Sequence, residues 1–316
     1  MSPEPEPLAP GMRRVGRVMR RMPGVAIATA TPEQIARNSG AATPEMIAAV
    51  LQGSRPRGVA TRDETVEGIP VRIYTPPGGR ESRPLVLYFH GGGFVFGDLR
   101  GGDWICGTVA KGVDAVVVSV GYRLAPKNPF PLGLEDCYRV LEWAAAHAGE
   151  LGVDPSRLGV MGESAGGNLA AVVALMARDQ RGPAVAHQAL LYPATGGGDT
   201  ESRRVNAEAF ILTAADMQKF SELYAGDAAD WRVSPLKAAS FAGLPPAVVV
   251  VAGHDPLHDD GVLYADALRA AGVPVELIDY PAMPHGFLNF PRFARDARAA
   301  IDAVIRAQRG VLVDER

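Results

Sequence analysis

The stretch Leu158-Gly-Val-Met-Gly-Glu-Ser164-Ala-Gly-Gly-Asn-Leu-Ala-Ala171 joins a short apolar run to a helical pattern through a glycine-rich turn. Gly162 and Gly166 flank Ser164 at two residues on each side, so a strand and a helix can pass close together there. Such a turn exposes the Ser164 hydroxyl, and the N–H of Ala165 at the helix start is free to face a developing negative charge. The motif is a weak signal by itself, because glycine-rich chains produce it by chance.

Three further predicted strands lead directly into polar or glycine-rich residues. Residues 84–89 run into His90-Gly-Gly-Gly-Phe94, residues 246–252 into Gly253-His-Asp255, and residues 275–280 into Pro281-Ala-Met-Pro-His285. Because open α/β sheets build their sites at the carboxyl ends of the strands, we expect these residues to lie together. The three glycines also allow backbone N–H groups to approach a ligand closely, as an oxyanion site requires.

Five motifs in this order resemble those of the hormone-sensitive lipase family of esterases (bacterial family IV), within the α/β-hydrolase fold. The motifs are His90-Gly-Gly-Gly-Phe94, Tyr122-Arg-Leu-Ala-Pro126, Gly162-Glu-Ser-Ala-Gly-Gly167, Asp255-Pro-Leu257 and His285-Gly-Phe287. The match covers most of the chain from about Val66 onward. Two departures are visible, because Lys127 and Asn128 follow Pro126 where the family usually has Glu, and Glu163 stands where many members have Asp.

The resemblance implies a triad in which Ser164 is the nucleophile, His285 the general base and Asp255 the acid that orients the base. The chain order Ser, Asp, His is the one that the α/β-hydrolase fold requires. The resemblance also implies an oxyanion hole formed by the N–H groups of Gly92, Gly93 and Ala165. We expect His90, Gly91 and Glu163 to support this site, with the His90 ring bracing the glycine loop.

The predicted substrate is a short-chain carboxylic ester held in a modest apolar pocket. Six side chains are predicted to line this pocket, although they could equally be ordinary residues of the cap or the core. They are Phe94, Phe210, Leu212, Phe220, Tyr224 and Phe287. A helical cap over Ser164 is implied by the resemblance and by residues 199–233, which have helical content without a convincing strand.

Strand and helix patterns alternate along the chain, which predicts an α/β protein with a mostly parallel sheet covered by helices on both faces. Two edge strands joined by a short turn are predicted for residues 59–74, and a helix starting with Thr43-Pro44-Glu45 is predicted for the N-terminal part. We therefore divide the chain into an N-terminal helical part of the cap (1–53), a catalytic core (54–195 and 236–316) and a cap insertion (196–235).

Composition restricts the partners of this 316-residue chain. A net charge of −3 gives no general attraction to nucleic acid or anionic membrane. No apolar run approaches the ~18 residues of a membrane span, and no export signal is evident, so a cytoplasmic protein is expected. Cys106 and Cys137 suit a reducing compartment as small core residues. We expect a small-molecule ester as the partner, no cofactor, and a possible homodimer.

Several alternatives remain at this point. Ser164 could be only a helix N-cap, His285 a loop residue and Asp255 a turn former, although their joint order argues against this. His254 and His258 have helix-face spacing for a metal, but Pro256 between them disfavours the helix, so no metal is expected. The same triad could cleave an amide or formamide. A receptor without catalysis is a further class, disfavoured because His285 is present.

Overall fold

The computed structural model describes residues 6–19, 27–31, 33–35, 53–79 and 82–313. The helix predicted to start at Thr43 lies outside the described residues. Most of the predicted N-terminal cap, residues 36–52 in particular, is outside them as well.

One eight-stranded sheet organises the described chain, in the spatial order β1-β2-β4-β3-β5-β6-β7-β8. The first three strands in this order pair antiparallel, and all later neighbours pair parallel. The strands are β1 Ala60–Val66, β2 Ile69–Thr75, β3 Arg83–Phe89, β4 Val116–Val120, β5 Val153–Glu163, β6 Val185–Leu191, β7 Ala247–His254 and β8 Val275–Pro284. The predicted α/β class with a mostly parallel sheet is therefore confirmed.

The prediction of two edge strands for residues 59–74 is correct only for the first of them. β1 is an edge, but β2 lies between β1 and β4, where Val71 is paired with Val120. The sequence did not indicate this, because the apolar residues Ile69, Val71 and Ile73 alternate with Pro70 and Arg72, a pattern that an edge strand also shows.

Helices cover both faces of the sheet. Their bounds are α1 Pro10–Met19, α2 Asp103–Val109, α3 Leu132–Ala146, α4 Ala148–Leu151, α5 Ala165–Asp179, α6 Glu201–Val205, α7 Ala214–Tyr224, α8 His258–Ala270 and α9 Ala297–Leu312. α3, α5 and α8 pack on one face, where their apolar side chains share a core with β3 and β4. α1, α2 and α9 pack on the other face. Because both faces are covered, every residue of β3 and β4 is buried, as expected for parallel strands in a doubly covered sheet.

The start of one helix differs from its prediction. The sequence pattern predicts the last helix from Arg292 to Gln308, but α9 begins at Ala297, because the preceding residues form turns in which Ala294 bonds back to Phe290. α8 begins at His258, in agreement with the interpretation of His258 to Asp260 as its first turn, where the helix dipole favours acids.

The segment 196–235 contains α6 and α7 and no strand, as its pattern indicates. α7 packs against the N-terminal residues, since Leu223 and Tyr224 share an apolar cluster with Ala30 and Ile35. The Ala28 N–H also donates to the Asp216 carboxylate at 3.3 Å. α1, in contrast, packs on the core, where Met12 is fully buried.

The closest backbone approach in the turn at Ser164 is between β5, α5 and the end of β3. A Cβ added at Gly166 would lie 1.9 Å from the Phe89 carbonyl oxygen. One added at Gly162 would lie 2.1 Å from the Gly166 carbonyl oxygen. Both neighbours are backbone atoms that cannot rotate away. A side chain at Gly162 would force β5 and α5 apart, and one at Gly166 would force α5 away from the end of β3.

We expect Gly166→Ala to destabilise the protein by about 1–3 kcal/mol or more, because the methyl group overlaps the β3 backbone. Gly310→Ala is the matched control, since it makes the same change in α9 with nothing within 4 Å of the new Cβ. The control should gain about 0.5–1 kcal/mol from the helix preference of alanine. Urea unfolding measures both, and equal stabilities for the two variants would contradict the close approach.

Candidate active site

Ser164 occupies a strained backbone conformation between β5 and α5. Its φ of 54° and ψ of −119° lie in a region that L-residues rarely adopt. The strain is held in place by a hydrogen bond of 2.9 Å from the Ser164 N–H to the Leu191 carbonyl of β6. The side chain therefore stands at the carboxyl edge of the sheet, partly exposed to two cavities.

The three residues predicted to form the triad make one continuous hydrogen-bonded chain. His285 Nε2 lies 2.9 Å from Ser164 Oγ, and His285 Nδ1 lies 2.7 Å from Asp255 Oδ2. The other Asp255 oxygen accepts the Leu257 N–H at 2.8 Å. Asp255 is completely buried, and His285 is only 7% exposed. A buried carboxylate that accepts from one ring nitrogen leaves the other nitrogen to accept the serine proton.

His285 is positioned by the turn that follows β8. β8 ends at Pro284, and Gly286 takes a left-handed φ of 65° that turns the chain into the short 3₁₀ segment Phe287–Asn289. The Tyr192 ring packs edge-on against the imidazole, with 5.1 Å between ring centroids. The His285 ring is thus held by the turn at Gly286 on one side and by Tyr192, which follows β6, on the other.

The glycine loop after β3 presents bare backbone amides beside Ser164. Gly92 and Gly93 have φ values of 113° and 62°, and a Cβ at Gly93 would lie 2.4 Å from the Phe220 ring. Among the described residues, none accepts a hydrogen bond from the N–H groups of Gly92, Gly93 or Ala165. These three N–H groups are therefore free to donate to a ligand, and the oxyanion hole stays a prediction.

His90 lies behind this loop. Its Nδ1 is 2.8 Å from the Gly91 carbonyl oxygen, and its ring stacks on Tyr122 at 4.3 Å between centroids. The Tyr122 hydroxyl donates to the His90 carbonyl at 2.8 Å. Burial lowers the pKa of His90 below its usual range, which favours a neutral ring. Tyr122 thus links the second predicted motif to the glycine loop.

Glu163 is buried directly before Ser164 and accepts three hydrogen bonds. The donors are the Tyr88 hydroxyl at 2.9 Å, the Tyr192 hydroxyl at 2.7 Å and the Asn289 amide at 2.7 Å. Sequence reasoning did not identify Tyr192 or Asn289 as site residues. Neither belongs to a recognisable motif, and only the fold brings them to Glu163.

Two cavities meet at Ser164. The smaller has a volume of about 320 Å³ and is lined by His285, Tyr192 and the apolar side chains of Ile27 and Ile211. The larger has a volume of about 620 Å³ and is lined by Ala165, Asn168 and residues of the 196–235 segment. Leu212 and Phe220 line both cavities and stand between them.

The six predicted pocket residues are not all at these cavities. Leu212 and Phe220 line both, and Phe94 and Tyr224 line the larger. The inclusion of Phe210 and Phe287 requires correction, because they line neither cavity. Phe287 is fully buried between Tyr192 and Tyr280, and Phe210 packs against α1 at Gly16. The residue type alone could not show which aromatic side chains lie in the core and which line a cavity.

The two histidines weighed as metal ligands bond to different partners. His254 Nε2 lies 2.8 Å from the Glu6 carbonyl oxygen, whereas His258 lies between Asp259 and Asp279. Hydrogen bonds to these two carboxylates raise the pKa of His258 to about 9. In the part of the chain that the structure describes, no group of three or more His, Cys, Asp or Glu residues could hold a metal ion.

The two cysteines and the residues after Pro126 make no contact with Ser164 in the described chain. Cys106 and Cys137 are free and buried in α2 and α3, as expected for core residues. Lys127 is exposed, and the Asn128 side chain only bonds back to the Leu124 carbonyl. Over the described ranges, no helix has the length and apolar character needed to cross a bilayer.

Comparisons with known proteins identify the relatives of this chain. A family model described as alpha/beta hydrolase fold matches residues 86–289. Esterase LipI of Mycobacterium tuberculosis is 43% identical over 251 residues, which cover 77% of this chain and 78% of the relative. Carboxylesterase NlhH of the same species is 46% identical over 229 residues, covering 70% and 72%.

A solved structure of an esterase has the same fold as this chain. The structure of a hyperthermophilic esterase from the archaeon Pyrobaculum calidifontis superposes with a TM-score of 0.84 at 36% identity, covering 96% of this chain and 99% of the other. Sequence motifs, sheet topology and relatives agree. The chain therefore belongs to the hormone-sensitive lipase family of the α/β-hydrolase fold.

Proposed function

We propose that this protein is a serine carboxylesterase that hydrolyses short-chain esters through an acyl-enzyme formed on Ser164. The observation that carries the proposal is the chain of hydrogen bonds of 2.9 Å from His285 to Ser164 and 2.7 Å from His285 to Asp255. The relatives are named esterases and carboxylesterases, and this chain is an ester-hydrolysing enzyme.

In the acylation step, His285 Nε2 takes the proton of the Ser164 hydroxyl as Oγ attacks the ester carbonyl carbon. The carbonyl oxygen becomes an oxyanion that accepts from the N–H groups of Gly92, Gly93 and Ala165. Each such donor contributes roughly 2.7–4 kcal/mol of transition-state stabilisation. The imidazolium then protonates the departing alcohol, and water repeats the sequence on the acyl-enzyme.

Asp255 keeps the imidazole in the orientation and tautomer that this cycle needs. Its carboxylate is fully buried, and among the described residues the Leu257 N–H is its only further donor, so it is directed at His285 Nδ1. The positive charge that develops on the ring in the transition state is then balanced by a nearby buried negative charge.

The two cavities support an assignment of the two halves of the ester. His285 protonates the leaving alcohol and lines only the smaller cavity, so the alcohol occupies the cavity of about 320 Å³. The acyl group then occupies the larger cavity beside Ala165. Side chains such as Arg203, Gln218 and Glu222 line that cavity, and their polar groups disfavour a long alkyl chain.

The segment 196–235 and the N-terminal part are proposed to act together as the cap. Leu212 and Phe220 come from this segment and line both cavities, and Ile27 from the N-terminal part lines the smaller one. The cap would therefore set the shape of the substrate site and exclude water from it. The homodimer and the cytoplasmic location stay predictions.

Ser164→Ala is expected to abolish hydrolysis of p-nitrophenyl acetate and butyrate, because it removes the attacking oxygen. The fold should be preserved, because the substitution removes one partly exposed atom and leaves the backbone unchanged. Circular dichroism and thermal unfolding check the fold. Turnover at the wild-type rate would reject Ser164 as the nucleophile.

Asp255→Asn should lower kcat by orders of magnitude with little change in shape, because an amide cannot accept the Nδ1 proton in the same way and favours the wrong tautomer. Steady-state kinetics with p-nitrophenyl butyrate measure this. A loss of less than about tenfold would argue against the role of Asp255.

Rates should fall along the p-nitrophenyl series from butyrate to laurate, because the polar groups that line the larger cavity oppose a long acyl chain. The comparison is made on kcat/KM at substrate concentrations below micelle formation. A series that rises with chain length would refute the short-chain assignment.

A further inference from the structure

Glu163 is a buried carboxylate whose partners among the described residues are all neutral. It is 5% exposed at the end of β5, directly before Ser164. Its three donors are two tyrosine hydroxyls and one amide. No arginine, lysine or histidine in the described ranges forms an ion pair with it. Because burying a carboxylate without a cation is costly, this arrangement calls for a role beyond packing.

The three donors come from three segments that surround Ser164. Tyr88 belongs to β3, just before the glycine loop, and Tyr192 follows β6. Asn289 belongs to the 3₁₀ segment that follows His285. A single carboxylate therefore connects the turn at Ser164, the strand that leads to the glycine loop, and the loop that carries His285.

Tyr192 gives this connection a direct route to His285. Its hydroxyl donates to Glu163 at 2.7 Å, while its ring packs edge-on against the imidazole at an interplanar angle of 67°. Only one tyrosine ring separates the Glu163 carboxylate from the imidazole. Tyr192 is fully buried, so both contacts are made inside the protein, at the wall of the smaller cavity.

The other titratable groups near Glu163 are buried and carry no charge that would replace it. Burial raises the pKa values of Tyr88, Tyr192 and Tyr122 well above their usual range, and the Glu163 charge adds to this effect. Burial likewise raises the pKa of the Cys106 thiol and lowers that of His90. On the far side of His285, the facing acid is Asp255.

We propose that Glu163 is a positioning residue for the serine chemistry: through Tyr192 and Asn289 it holds the His285 ring in line with Ser164 Oγ, and its negative charge favours the imidazolium form. This role rests on the function proposed above. Glu163 exchanges no proton in the cycle. The serine proton moves to His285 Nε2 and then to the alcohol, while the Glu163 carboxylate keeps its three hydrogen bonds throughout.

The main test is Glu163→Gln, which keeps the shape of the side chain but removes its charge and cannot accept from all three donors. We expect kcat for p-nitrophenyl butyrate to fall about tenfold or more with KM nearly unchanged, within the range that positioning groups contribute. The acid limb of the kcat/KM profile should move to lower pH by about 0.5–1 unit, because a negative charge near His285 has been lost.

Glu150→Gln is the matched charge control, because Glu150 is exposed near the end of α4 and forms no hydrogen bond or ion pair with the described residues of the site. It should leave kcat and the pH profile at wild-type values. Active sites are counted by stoichiometric labelling of Ser164 with an organophosphate, so that rates refer to folded protein. Thermal unfolding is recorded for each variant.

Two further variants separate charge from position and decide the question if Glu163→Gln does not fold. Glu163→Asp keeps the charge but shortens the reach to the donors, so it should lower kcat while the acid limb stays near its wild-type pH. Tyr192→Phe keeps the ring against His285 and removes one donor. It should lower kcat several-fold with KM unchanged.

The proposal is overturned if Glu163→Gln lowers only the melting temperature and leaves kcat per labelled site and the acid limb at wild-type values. Wild-type kcat in both Glu163→Asp and Tyr192→Phe would overturn it equally. These results differ from a failure of the proposed function, in which the wild-type protein would hydrolyse no ester and Ser164 would take no label.

Discussion

The close packing of β5 against α5 at Gly162 and Gly166 is the constraint on which the rest of the site depends. Because no side chain separates these segments, the residue between them is forced to a positive φ, and Ser164 projects from the edge of the sheet. Such strain persists only where the surroundings determine it. Here the hydrogen bond to Leu191 and the buried helix α5 supply that support.

The parallel sheet supplies the remaining groups at the same edge. Phe89 pairs with Gly162, and Glu163 pairs with Leu191, so β3, β5 and β6 end side by side. β7 and β8 follow in the order of the sheet and deliver Asp255 and His285. β6 lies between the strands that carry Ser164 and Asp255, and its continuation places Tyr192 beneath His285. The hydrogen bonds of Glu163 connect the ends of these neighbouring strands.

Part of the lining of the two cavities, in contrast, comes from segments that are distant from the sheet. Leu212 and Phe220 come from the 196–235 insertion, and Ile27 comes from the N-terminal part. They meet because α7 packs against the N-terminal residues through Leu223 and Tyr224. In this ester-hydrolysing member of its family, the sheet edge carries the proposed chemistry, and the proposed cap contributes apolar side chains to both cavities.

The sequence by itself determined the α/β class and the motifs at the strand ends, and the resemblance of those motifs to a known family implied a triad. The class and the motifs are local features: apolar runs and glycines that permit a turn follow from nearest neighbours and from the rules of parallel sheets. The start of α9 was less well determined, because this helix begins only after a series of hydrogen-bonded turns. The N-terminal helix predicted at Thr43 lies outside the described residues.

Only the tertiary structure decided the contacts between residues with no common pattern in the sequence. The partnership of Glu163 with Tyr88, Tyr192 and Asn289 has no local signal, because each donor reaches the carboxylate from a different part of the fold. The same reason explains why Phe287 is a core residue while Phe220 borders both cavities. An aromatic side chain has the same sequence signature in either place, and its role depends on what the fold packs against it.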